Sequence, residues 1–520
     1  MAALSIGLCT ILTAWGCGGG EQGTLDGGGV DASQGSRLER YRPQIHFSPP
    51  AGWMNDPNGL FYHDGRYHLF YQYAPEGFLK TMISWGHATS SDMIHWDDLP
   101  PAIEPDDMLG NVYSGSAVVD SSNTSGLCDG GPCLVAAFTS SGGESGSQKQ
   151  SLAFSTPPGA TWTQYAQNPV LTPDAGQKDF RDPKVFWHEA GGRWIMALAV
   201  KDRVSIYHSP NLREWTHASD FIRDAADRTG TWECPDLFML PVSGEAGVEK
   251  WVMVVSVFSG GPAGGSGVRY FIGGFDGSAF DSETDGSEPL WIDRGSDFYA
   301  WQSWSDAPGD RRVGVAWMNN WGYAIGLSTK PWQGAMTLPR ELSLVRTAGG
   351  CRLVQQPVAE LVSLERGVTF RTSGQAVAGR MQLPATAPRQ LMRVRLELEP
   401  GDAAEAGVSL ESSSGKQLVI GYNSTAGKLF VERFAGGLAD LPQSFAARHE
   451  APISEENGRV LLEIIIDRSS VELFAGGGSA VITDQFFPGG TGSSMWLYSE
   501  GGTATIRNMT ITEMGSSWAR

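Results

Sequence analysis

The chain has 520 residues, enough for two or three domains with separate cores, and 41% hydrophobic with 18% charged residues describes a folded globular protein. A formal net charge of −19 excludes nucleic acid and anionic membrane surfaces as partners and favours a neutral one. Gly (67), Trp (18) and Phe (22) are abundant, which suits β-structure with many turns.

Residues 1–17 read as an export signal. Leu4 to Trp15 is apolar but too short to span a bilayer as a stable helix. It ends in Ala14-Trp15-Gly16-Cys17 ahead of three glycines, which resembles a bacterial lipoprotein signal with Cys17 as the lipidated residue. Ordinary secretion is the alternative. Residues 18–40 are rich in Gly, Ser and Asp without hydrophobic periodicity and read as a flexible tether.

From about Arg42 the sequence becomes short strands separated by Gly, Asp, Asn and Pro, with no long amphipathic helical pattern. Trp53 to Gly59, WMNDPNG, centres on Asp56, and its Asn-Asp-Pro-Asn-Gly run is turn chemistry. Alone it reads as a tight loop with a capping carboxylate. Two further carboxylates have similar settings: Asp182 in Phe180-Arg181-Asp182-Pro183, and Glu233 in Trp232-Glu233-Cys234-Pro235-Asp236. Each is followed by an apolar run, a turn, a basic–aromatic pair and a second apolar run. Ser90-x-Asp92-Met93-x-x-Trp96 likewise repeats as Ser209-x-Asn211-Leu212-x-x-Trp215. Asp182 and Asp236 lie about one propeller blade apart in sequence, and Asp56 and Asp182 a little over two. Strand groups around Asn111 to Val119 and Asp297 to Trp304 complete a predicted five-bladed β-propeller over 41–345. Its axis would gather the three carboxylates.

Cys128 and Cys133 flank Asp129-Gly130-Gly131-Pro132 and are candidates for a small disulfide loop, in keeping with export. Cys234 and Cys351 read as free thiols. No cysteine pair with nearby histidines has zinc-site spacing, so no metal is expected. After Leu342 the Trp-rich motifs stop and alternating strands take over, among them Arg393 to Leu398, Gln417 to Tyr422, Arg459 to Ile466, Met495 to Ser499 and Thr505 to Ile511. These predict a β-sandwich over 368–514 behind a linker at 346–367.

WMNDPNG, FRDP and WECPD, in this order, resemble glycoside hydrolase family 32, the invertases, inulinases and levanases. The likeness extends through Phe70 to Pro75, Ser84-Trp85-Gly86-His87-Ala88, Tyr113 to Ser116, Gly260 to Gly267, Asp297 to Ala300 and Asp467 to Phe474. It implies a five-bladed propeller followed by a β-sandwich. It also implies cleavage of fructofuranosides with retention, Asp56 as nucleophile, Glu233 as acid/base, and Asp182 binding fructose hydroxyls. Asn55, Gln72, Ser114 and Arg181 match residues that hydrogen-bond the terminal fructose. Trp85, Tyr113, Tyr299 and Trp321 are candidate walls or supports, although ordinary blade packing accounts equally for Trp85 and Trp321. Clustering predicts that Glu233 holds its proton towards neutral pH, while backbone N–H groups of its own turn keep Asp56 ionised. His87 and His95 read as structural hydrogen-bonders. No cofactor is called for.

One position departs from the resemblance: Lys80 stands where a tryptophan commonly walls the fructose, and Phe78 or Leu79 is the candidate replacement. The expected activity is exo-hydrolysis of levan, inulin or sucrose outside the cytoplasm, by a cell-surface or periplasmic lipoprotein or a secreted enzyme. A fructosyltransferase or an endo-fructanase would use the same carboxylates, and a non-catalytic fructan-binding lipoprotein is the third alternative. The sandwich reads as structural, with carbohydrate binding as the other possibility.

Overall fold

In the computed structural model, which describes residues 37–142, 147–222, 230–284, 289–384, 390–439 and 441–518, the Asn-Asp-Pro-Asn-Gly run makes no turn. It lies inside a twelve-residue strand, Gly52–His63, whose register against Arg66–Ala74 slips between Met54 and Pro57 and again between Asn58 and Phe61. Pro57 cannot donate to the ladder and Gly59 takes φ +53°, so these residues bulge the strand without ending it. Gly59 has a second reason to lack a Cβ, because one would meet the Trp85 ring at 2.9 Å. The export-signal, lipidation and tether readings over 1–36 lie outside the described residues.

Five blades of antiparallel strands follow in chain order. Their innermost strands are Gly52–His63, Asn111–Asp120, Phe180–His188, Trp232–Pro241 and Tyr299–Ser303. Each neighbours the next around the axis, and the fifth lies beside the first. Trp332–Gln333, from the fifth-blade segment, closes the ring by pairing in parallel with Gly52 and Trp53. The two Ser-x-Asx repeats build the same connection in blades one and three. The Asx oxygen accepts two backbone N–H groups, Met93 and Leu212 adopt φ +62° and +65°, and each following tryptophan donates to that residue's carbonyl. Cys128 and Cys133 form a disulfide, and Cys234 and Cys351 are free and buried.

The segment expected to be a linker, 346–367, is regular structure. Gly350–Pro357 is the outer strand of blade five, a short 3-10 turn spans Ala359–Leu364, and the first sandwich strand starts at Glu365. The separate strands expected at 495–499 and 505–511 are one bent strand, Ser494–Met514. It pairs with Glu405–Ser412 at one end and Met392–Glu399 at the other, so it crosses between the two layers of the β-sandwich. Alternation fills that domain's core with Val394, Leu396, Ile464, Leu473, Leu497 and Ile511.

The Asp467 to Phe474 motif joins the domains. Asp467 accepts the backbone N–H groups of Gln44 and Ile45 at 2.9 and 2.8 Å and the His46 ring at 2.8 Å. Glu472 takes the other His46 nitrogen at 2.9 Å and the Arg340 guanidinium at 2.6 Å. Arg340 also pairs with Asp293 at 2.9 Å, and its side chain is fully closed off from solvent.

Candidate active site

The same irregularity recurs in all five innermost strands. Against their second strands the register breaks between Met54 and Pro57, Val112 and Gly115, Glu233 and Asp236, and Tyr299 and Gln302; in blade three it breaks opposite Ala197 and Ala199, between Arg181 and Lys184. Two residues bulge in each blade: Asn55-Asp56, Tyr113-Ser114, Asp182-Pro183, Cys234-Pro235 and Ala300-Trp301. Asp182, Cys234 and Ala300 hold φ of +64°, +46° and +54°, a conformation worth about 1–3 kcal/mol of strain each for non-glycine residues. The bulges turn side chains that would alternate across a blade toward the axis. Asp56 is the second bulged residue of its blade, Asp182 the first, and Glu233 stands just before its bulge, level with Arg181 and Tyr299.

Asp56 is buried and held by side chains. Ser114 Oγ donates at 2.6 Å, Gln72 Nε2 and Asn55 Nδ2 at 3.0 Å each, and the Cys234 thiol at 3.5 Å. These donors, not the backbone N–H groups of its own turn, receive its charge. Trp53 Nε1 fixes the Asn55 amide by donating to its oxygen at 2.7 Å. Asp182 accepts the Cys234 backbone N–H at 3.0 Å, so one carboxylate caps the bulge of the next blade, while its own N–H donates to Thr139 Oγ1 at 2.8 Å. Glu233 is half-buried. Arg181 Nε donates to one of its oxygens at 3.0 Å, and the Tyr299 hydroxyl donates to the other. Arg181 also pairs with Asp179 at 2.6 Å.

Burial first, and Glu233 second, push the Asp56 carboxyl up to about 6, while Ser114, Asn55 and Cys234 pull the other way. Burial also pushes Asp182 up to about 7; Arg181 opposes this, and Glu233 and Asp56 add to it. Burial raises the Cys234 thiol well above its ordinary range, with Asp182 and Asp56 adding to the effect, so it stays a donor. Burial disfavours the Arg181 charge, but Glu233 and Asp182 more than offset this and hold the guanidinium protonated. The carboxylates share a pocket of about 620 Å³ whose lining includes Phe78, Lys80, Tyr113, Arg181 and Trp321. Acidic groups in three electrostatic settings around one cavity can divide nucleophilic, acid/base and hydroxyl-binding work.

Two family profiles match this chain: the glycosyl hydrolases family 32 N-terminal domain over residues 46–357 and its C-terminal domain over 360–513. The chain belongs to glycoside hydrolase family 32. A levanase of Bacillus subtilis (strain 168) is 44% identical, over 94% of this chain and 73% of that protein. An extracellular exo-inulinase of Aspergillus ficuum is 37% identical, over 92% and 95%. The crystal structure of exo-inulinase from Aspergillus awamori superposes with a TM-score of 0.86 at 34% identity, over 92% of this chain and 99% of that one. This family 32 member is a β-fructosidase of the levanase and inulinase type.

Within it, Asn55, Asp56, Gln72, Tyr113, Arg181, Asp182, Glu233 and Trp321 all line the pocket. Ser114 lies behind Asp56 as its shortest donor. Tyr299 is buried behind Glu233, to which its hydroxyl donates. Trp85, a candidate wall, is not one. It is fully buried under the first blade between Phe70 and Phe138, and its indole N–H holds the Tyr113 carbonyl at 2.9 Å. Phe78 supplies the apolar wall, packed on Trp53 and Trp321 at 4.9 and 5.6 Å, and Lys80 joins the lining. His87 pairs with His68 at 3.0 Å and His95 with Asp92 at 2.8 Å, both away from the pocket. Asn111, Gln148 and Asp179 also line it and were not among the candidates. Asp179 had a readable signal, since it stands two residues before Arg181, whose charge it shares.

Proposed function

We propose that the chain is a retaining, exo-acting β-fructosidase that releases terminal β-D-fructofuranosyl units from levan, inulin or sucrose. An Asp56 oxygen attacks the anomeric carbon as its bond to the leaving oxygen breaks, and Glu233 gives that oxygen its proton. Glu233 then takes a proton from water, whose oxygen displaces Asp56 and frees fructose. Asp182 holds ring hydroxyls through both steps. The observation that carries this reading is the pairing of a buried Asp56, fixed by four side-chain donors, with a half-buried Glu233 between Arg181 and Tyr299. The named activities of the related levanase and exo-inulinases support the substrate class.

Product analysis on levan, inulin and sucrose tests it. Free fructose should be the only early product from levan and inulin, and fructose with an equal amount of glucose from sucrose, while Asp56→Asn and Glu233→Gln should each lower kcat by at least about a thousandfold. Early oligosaccharides that shrink with time would replace exo with endo action. Products that grow would replace hydrolysis with transfer. For the N-terminus we propose export with lipidation at Cys17. Labelled fatty acid should enter the wild type and not Cys17→Ser, and its absence from both would leave simple secretion.

A further inference from the structure

Phe258 is an exposed aromatic with a place in the fold that calls for a partner. It directly follows the strand Glu249–Val257, whose Ser256 pairs with Glu233, and its N–H donates to the Thr231 carbonyl at 2.9 Å. It therefore emerges at the end of blade four that carries Glu233. Its ring stacks on Trp321 with centroids 6.2 Å apart at 29°, and Trp321 stacks on Trp53 at the same distance and angle. Three near-parallel rings thus run from fully buried Trp53 through the pocket wall to Phe258, which is 47% exposed.

The arrangement is braced from behind. Asn320 Nδ2 donates to the carbonyls of Gly264, Ser266 and Ser296, and the Trp321 N–H donates to Ser266 Oγ at 3.2 Å. The glycine-rich run 260–267 must come this close: a Cβ on Gly265 would sit 2.1 Å from Asn320 Oδ1. A large exposed apolar ring on a braced backbone, continuous with a sugar pocket, fits the apolar face of a further sugar.

We propose that Phe258, seated on Trp321, is an outer subsite that stacks a fructosyl unit on the leaving-group side of a β-fructan chain. The direction rests on Glu233 being the acid: the group that protonates the leaving oxygen faces the departing part of the substrate, and Phe258 stands on the same side. The platform makes the enzyme prefer chains over sucrose, through binding and not through chemistry.

The test is kcat/KM for sucrose and for oligofructans of graded length, in the wild type, Phe258→Ala and Phe258→Trp. In the wild type kcat/KM should rise with length. Phe258→Ala should reduce the ratio of long-chain to sucrose kcat/KM about tenfold, mostly through KM, and Phe258→Trp should restore it. Unchanged thermal midpoints establish that all three are folded. A wild type with no length dependence, or an alanine variant that keeps it, overturns the inference alone. A wild type that cleaves none of these fructosides overturns the reading of the site and this inference with it.

Discussion

His46 bridges Asp467 and Glu472 with all three side chains closed to solvent. Burial favours the neutral ring, but hydrogen bonds to Asp467 and Glu472 and the charges of both more than offset this and raise its pKa from 6.5 to about 9. The folded protein therefore binds this proton more tightly than the unfolded chain. The resulting stability is fully present below about pH 6.5 and is lost as pH rises through about 9. The difference between the two values corresponds to about 3 kcal/mol. Urea unfolding of the wild type and His46→Gln, followed from about pH 6 to about pH 9.5, measures it. The wild type should lose about that amount across the window. The variant should begin less stable and lose much less. Parallel curves would refute the assignment of a buried imidazolium. At the acid end the dependence reverses. Against the upward pull of burial, His46 holds Asp467 low, and Arg340 with His46 holds Glu472 low, so their contributions vanish as pH falls through those depressed values.

Asp56 must be ionised to attack, so with its carboxyl pushed up to about 6 the acid limb of kcat/KM should fall near pH 6 and not near the ordinary aspartate value of about 4. Ser114→Ala removes the 2.6 Å donor that favours the ionised form and should move this limb to higher pH; an unmoved limb would separate Ser114 from the titration. Gly265→Ala combines a φ of +67° with a Cβ that collides with Asn320. It should cost about 1–3 kcal/mol in unfolding free energy and raise KM by shifting Trp321, and a variant with wild-type stability and KM would show the contact to be slack.

The first, third and fourth blades were legible because each carries two apolar runs around a turn, a pattern that survives changes in every other residue, and the second and fifth were placed by the strand groups between and after them. The three carboxylates were legible for the same reason, but their offsets were not. The Asp-Pro pairs at 56–57 and 182–183 suggest equivalent positions, whereas the register places them one residue apart on the shared bulge. A bulge is set by pairing with a neighbouring strand, which a single sequence does not display. Trp85 reads identically whether it walls a pocket or lies beneath one. The difference is made by Gly59, which leaves room for its ring under the Asp56 strand. The outer strand Gly350–Pro357 went unread because its alternation is polar on the exposed face and lacks the Trp-rich signature of the inner strands.

The repeated bulge has a consequence for how such a site can change. Every blade offers the axis a short run of three successive residues in nearly the same frame, and the carboxylates occupy three different slots of that frame. Which blade carries which charge is thus set at single slots, with Asp182 alone of the three carboxylates also capping the bulge of the next blade through the Cys234 N–H. A carboxylate, a guanidinium and a phenol already stand in one equivalent slot as Glu233, Arg181 and Tyr299. The scaffold works as a socket board whose wiring can be rearranged slot by slot, so altered chemistry would require exchanging side chains at these positions while the blades around them stay as they are.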